Sequence, residues 1–137
     1  MPITTEICNS YKLELIRGVH NTGDVYKIAL YASAATLNKA SAVYSATNEA
    51  TGAGYTAGGK ILAGEASALS GDVAYLDFTD PVWTGASFTA RGALIYNSSQ
   101  GDKAVAAYDF GADVTATAGD FTVSLPAPGA TAVVRVA

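Results

Sequence analysis

One cysteine, one histidine, one methionine and one tryptophan in 137 residues exclude a good deal at once. With Cys8 alone an internal disulfide is impossible, and His20 is the only imidazole that could activate it. A small apolar slot in the core is therefore the expected place for Cys8. Zinc needs several His and Cys ligands, and one of each is too few. Charge is scarce too, at 15% of residues against the usual quarter. The net charge is −4, and Lys and Arg never cluster, which excludes direct nucleic-acid binding through grouped cations. No apolar run approaches the ~20 residues that cross a bilayer, and MPITTEICNS lacks the basic-then-apolar pattern of a secretory signal. These shortages lead us to expect a soluble chain made in a cytoplasm, with no membrane partner.

What is present is small. Alanine occurs 27 times and glycine 14 times, so the core is built of small side chains, with eight Tyr, four Phe and Trp83 as bulky anchors. A chain of this length buries roughly two-thirds of its unfolded surface. That suffices for a single domain, residues 1–137, without metal or disulfide. So few charges suit a surface that packs against other protein.

Residues 54–61 read GYTAGGKI. Gly54, Gly59 and Lys60 match the spacing of a phosphate-binding loop, but Ile61 stands where a Ser or Thr hydroxyl would hold Mg²⁺. Such a loop needs a buried strand before it and a helix after it, so that backbone N–H groups and the helix dipole meet the phosphates. Here TNEATGA precedes, which is polar, and KILAGEASALSG follows, broken by Gly64 and Ser67. VAYLD (73–77) imitates the strand ending in Asp that supports Mg²⁺, as any half-buried strand with a terminal carboxylate does. Alternating β and α units are also missing. The stretch therefore reads as a long mobile loop tolerant of positive φ.

Other chemistry is equally thin. A nucleophile needs an adjacent base and an orienting group, and there is no G-x-S-x-G elbow. His20 sits in the turn GVHNTGD and reads as a loop residue. Asp72, Asp77 and Asp80 do not follow calcium-loop spacing and read as solvated carboxylates. Tyr26, Tyr31, Tyr75, Tyr96 and Tyr108 fall in strands, where such rings anchor a core or an interface more readily than a sugar platform. The expectation is no enzyme: no catalytic residue, no cofactor and no metal ligand is assigned.

Thr4 and Thr5 can cap a helix with Glu6 in its first turn, and Ile7, Cys8, Tyr11 and Leu15 share a face. This predicts an N-terminal helix over about 5–17, apolar on a second side through Leu13 and Ile16. From about 24 to 137 the signals are β. Strands are expected at Val25–Tyr31, Val73–Phe78, Val82–Trp83, Ser87–Tyr96, Val105–Phe110, Asp120–Leu125 and Thr131–Val136, with AVYSAT short and Lys60–Leu69 ambiguous. In the longest, Phe88, Ala90, Gly92, Leu94 and Tyr96 lie to one side and Thr89, Arg91, Ala93 and Ile95 to the other. Short strands ended by Gly, Asp, Asn or Pro predict an antiparallel β-sandwich or barrel with one N-terminal α-helix.

The phrases NSYKLELIRGVH (9–20), YKIALY (26–31), TNEATGAGYTAGG (47–59), DPVWT (80–84), ARGALIYN (90–97) and AYDFGADVT (107–115) carry a resemblance. In that order, over nearly the whole chain, they resemble the capsid cement, or head decoration, proteins of tailed bacteriophages of podophage type. The resemblance implies a sandwich of jelly-roll type on the outside of an HK97-like shell, bridging subunits of the major capsid protein. It implies a virion location at the capsid surface after assembly in the host cytoplasm, and no catalytic residue to transfer. Exposed sheet edges would allow self-association as a dimer or trimer there. The Gly-rich loop 48–60, the N-terminal helix and the tail LPAPGATAVVRVA are the segments expected to reach neighbours. The alternatives are a phage tail, fibre or receptor-binding component, or a carbohydrate-binding β-sandwich module.

Overall fold

The expected run of short strands is present, but two pairs of them are fused into one long hairpin. The structure, a computed structural model, describes residues 3–21, 23–125, 132 and 134–136. In chain order it contains β1 (Glu6–Ile7), α1 (Asn9–Ile16), β2 (Tyr26–Tyr31), β3 (Lys60–Ile61), β4 (Ala66–Ser70) and β5 (Val73–Asp77). Then follow β6 (Val82–Asn97), a 3-10 turn (Ser98–Gln100), β7 (Lys103–Thr122) and β8 (Val134–Val136). One sheet has the order β1-β7-β6-β2-β3 and the other β4-β5-β8. Every named strand pair is antiparallel. The chain is thus mainly β, with two antiparallel sheets and one short helix. The expected last strand appears as β8 paired to β5; Thr131, Val133 and the tail residues 126–130 lie outside the described residues.

The N-terminal helix is shorter than the predicted 5–17. Glu6 and Ile7 are not its first turn but an edge strand, paired with Ala107 and Ala106 of β7. Thr5 is not its cap either: its Oγ1 accepts a hydrogen bond from Asp109 N at 2.9 Å. Cys8 takes the cap position, without a side-chain bond. A place in the β7 ladder satisfied these backbone groups better than a frayed helical turn would. The two-sided apolar pattern is real: Cys8 and Tyr11 are buried, while Leu13 and Ile16 are 47% and 86% exposed.

The breaks expected at TGAS and GADVTATAG are bulges. Gly85, at φ 59°, sits where the β6–β7 register shifts between Trp83 and Ala86, so the residue that looked like a strand terminator lets the strand bend and continue. On β7, residues 110–113 are looped out between Asp109, opposite Gly92, and Val114, opposite Ala90. Asp109 closes that bulge, its Oδ1 accepting from Gly111 N and Arg91 Nε, both at 3.0 Å. The Gly111 amide and the Arg91 guanidinium hold its carboxyl below the usual carboxylate range.

From Phe88 to Arg91 the predicted alternation holds, with Phe88 and Ala90 buried and Thr89 exposed. From Gly92 to Asn97 every residue is buried, because both faces of the sheet are covered. The loop after β2 lies over the face carrying Tyr31 and Tyr96: Tyr31 Oη donates to Ser45 O at 2.6 Å, and Tyr44 stacks on Tyr96 at 4.8 Å. On the other face Tyr11, His20, Tyr26 and Phe78 form a chain of ring contacts that links α1 to β2 and onward to the end of β5. Buried residues of both sheets belong to one continuous cluster.

Candidate functional site

The glycine stretch, with its near match to a phosphate-binding loop, is organised around one buried carboxylate. Glu49 is 9% exposed. Its Oε1 accepts from Tyr44 Oη at 2.6 Å, and its Oε2 accepts from Gly58 N at 2.8 Å and from Tyr55 Oη. Tyr55 Oη in turn accepts from Leu30 N of β2 at 2.9 Å, and Tyr96 Oη donates to Gly58 O at 2.5 Å. One carboxylate thus gathers three donors and ties residues 44–58 onto the central sheet. Charge-assisted bonds of this kind are about twice as strong as neutral ones, and a buried acid so satisfied is stable only while all partners stay. Burial first, then the Glu49 carboxylate, pushes the Tyr44 and Tyr55 hydroxyls well above the ordinary tyrosine range.

The loop expected to be long and mobile is therefore pinned. Its positive φ values are as expected at Gly52, Gly54, Gly58 and Gly59. At Gly59, φ 77°, an added Cβ would run into the carbonyl oxygen of Ile28. Here β3 docks against β2 with no room for a side chain. We expect Gly59→Ala to destabilise the fold by about 3 kcal/mol, seen as a lower midpoint in urea unfolding. Gly18→Ala, at similar φ with nothing within 4 Å, should cost only about 1 kcal/mol. Equal midpoints for the two variants would contradict the close docking of β3.

Lys60 is spent on the protein itself. Its Nζ donates to Val82 O and lies 5.3 Å from the centroid of the Trp83 ring. A strand, Lys60–Ile61, follows the glycines rather than a helix, so no helix N-terminus faces them. Asp77 ends β5 with Oδ1 buried and without a hydrogen-bond partner among the described residues, and burial, then Asp80, raises its carboxyl above the ordinary value. Asp80 Oδ1 accepts from Leu125 N at 2.9 Å, and Asp72 lies in the turn between β4 and β5.

His20 lies in the turn after α1, as expected, and acts there as a strut. Asn97, fully buried, donates through Nδ2 to Asp24 Oδ2 at 2.9 Å and to His20 Nδ1 at 3.0 Å. Its Oδ1 accepts from Ser99 N, which fixes the amide orientation. An accepting Nδ1 leaves the proton on Nε2, which donates to Glu14 Oε1 at 2.8 Å. Both ring nitrogens are engaged in joining α1 to β6. Asp24, bonded first by Asn97 and then by Asn21 N, is held below the usual carboxylate range. Cys8 is fully buried near Asn38 O, and burial, with Glu14 and Glu6 adding, pushes its thiol up to about 12. A thiol held protonated in this way is a packing group.

Among the five strand tyrosines, Tyr26, Tyr31 and Tyr96 are core, whereas Tyr75 and Tyr108 are half-buried. Trp83, 5% exposed, packs with Tyr55 and Phe121 and offers no open platform. Sequence reasoning missed Glu49, which sits in a polar stretch and shows its role only once Tyr44 and Tyr55 fold over it.

A surface feature emerges from the long hairpin. Beyond the β2 pairing, residues 82–90 and 114–122 continue as a two-stranded ribbon. Its inner face carries Trp83, Phe88 and Phe121, with Phe88 and Phe121 stacked at 4.7 Å. Its outer face shows Thr84, Ser87, Thr89, Thr115 and Thr117, and Thr89 and Thr115 are joined across the strands by a 2.8 Å hydroxyl contact. Within 82–90 and 114–122 Asp120 is the single charged residue. Past Ala107 the outer edge of β7 pairs with no strand among the described residues. Comparison with protein families, curated proteins and solved structures finds no significant match to this chain.

Proposed function

We propose that this chain is a structural virion protein that binds the outer surface of an HK97-like phage capsid and bridges subunits of the major capsid protein. In this reading the two sheets are halves of an open sandwich of jelly-roll type, and the protein works by contact area rather than chemistry. The observation that carries it is the weakly charged ribbon, in which Asp120 is the single charged residue, with its open β7 edge. A stable complex buries ~1,600 Å² in total, and a surface with so little charge loses little on desolvation. An unprotected edge can also take up a strand from a neighbour. Many copies on one shell then act together against the outward pressure of packaged DNA. Self-association as a dimer or trimer would use the outer edge of β4, whose residues 66–70 carry no charge and expose Leu69 at 73%.

Co-sedimentation of the purified protein with expanded shells tests the proposal. Binding and a higher shell melting temperature are expected. Thr89→Lys with Thr117→Lys, which places two charges on the exposed ribbon, should weaken binding more than about tenfold, or 1.4 kcal/mol, at unchanged stability of the protein itself. A chain that stays in the supernatant with shells of every expansion state would remove this reading.

A further inference from the structure

A second feature lies on the opposite face of the sheet, where α1 and its following turn meet β5 and β8. Between them is a cleft of ≈ 190 Å³. Sites for drug-sized ligands start near 300 Å³, so this one admits a single small ring or one side chain. Tyr11, Tyr26 and Tyr75 line it, together with Asn21, Glu65 and Arg135.

Two of the tyrosines are unfinished. Tyr11 and Tyr26 are 4% and 3% exposed, yet neither hydroxyl has a hydrogen-bond partner among the described residues. Neither oxygen is sealed from solvent, so each can bond a molecule that enters the cleft. His20 lies between the two rings, 4.7 Å from Tyr11 and 6.5 Å from Tyr26, but both of its nitrogens are committed to Glu14 and Asn97. Glu65 makes no ion pair among the described residues, although its charge reaches both phenols and helps to raise them. Arg135 commits Nη1 to Ala132 O at 2.7 Å and keeps its other donors.

The cleft therefore offers an acceptor in Glu65, donors in Arg135, two hydroxyls that do either, and apolar walls in Leu15 and Leu76. One acid and one base leave it without net charge. Such a set selects neither a cation nor an anion but a neutral ring rich in hydroxyls, with one apolar face for a tyrosine. We propose that this cleft binds a single pyranose ring, its hydroxyls on Glu65, Arg135 and the Tyr11 and Tyr26 oxygens. The proposal does not rest on capsid attachment, since the free protein suffices to test it.

The experiment is saturation-transfer NMR on the whole chain with glucose, galactose, mannose and N-acetylglucosamine, each as the reducing sugar and as its methyl glycoside. Transfer to at least one ring is expected, with dissociation constants on the order of millimolar, as for one small ligand held by a few hydrogen bonds. Tyr11→Phe and Tyr26→Phe keep the rings and should each weaken it roughly three- to tenfold. Glu65→Gln should weaken it more than about tenfold, with Arg135→Met as the replacement if that variant melts early. Binding of methyl glycosides marks the end of a glycan chain as the ligand, and binding of reducing sugars alone marks a free monosaccharide. No transfer to any sugar, unchanged affinity in the four variants, or tighter binding of methylguanidinium than of every sugar would each overturn the proposal.

Discussion

Glu49→Ala should lower the melting temperature by more than about 10 °C, because about 4 kcal/mol is lost when three donors are left facing an empty space. Tyr44 Oη, Tyr55 Oη and Gly58 N all end on this one carboxylate. Tyr55 also carries the Leu30 N–H of β2, so the loss extends from the loop into the central sheet. Part of the cost is desolvation without compensation, which exceeds what each bond adds when intact. Glu49→Gln should fall between the two proteins, since an amide keeps one acceptor but turns an NH₂ toward a donor. Differential scanning calorimetry of the three proteins decides. An Ala variant melting within about 2 °C of the parent would show that the carboxylate node is not what secures the loop.

Alkaline unfolding should be steep and should coincide with tyrosine ionisation. Burial raises the hydroxyls of Tyr11 and Tyr96 to about 12, and those of Tyr26 and Tyr31 further, from an ordinary value of 10.0. All four residues are under 5% exposed. A raised folded-state value means that the unfolded chain loses its protons first. The stabilisation is complete below pH ~10 and is lost as pH rises from there through ~12. Each such tyrosine removes at most about 1.4 kcal/mol per pH unit, so four remove at most about 5.6 per pH unit. A domain with the usual margin of 5–15 kcal/mol then unfolds between about pH 11 and 12. Circular dichroism and tyrosinate absorbance should change together there. Smooth ionisation of all eight tyrosines near pH 10 with unchanged circular dichroism would contradict their burial.

Glu49 and the tyrosines also show where the sequence was legible and where it was not. The mainly β character, the strands around Tyr26–Tyr31 and Val73–Asp77 and the buried Cys8 all followed from residue type and period. These are local properties, written in neighbouring side chains. The extent of α1 was misread because Glu6 and Ile7 are claimed by Ala107 and Ala106, a hundred residues away in sequence. Gly85 and the 110–113 bulge were misread because a glycine ends a strand or merely bends it according to what the partner strand does.

The sequence by itself determined a weakly charged, mainly β chain with small-residue packing and aromatic anchors. Alternation and turn residues act over a few positions, and no distant partner is needed to read them. Only the tertiary structure decided what the polar residues do. Glu49 became a buried node, His20 a strut, Lys60 a partner of Val82 O, and Tyr11, Tyr26, Glu65 and Arg135 the lining of one cleft. The reason is physical: a polar side chain takes its role from the groups that surround it, and those come from segments brought together by closing long stretches of chain.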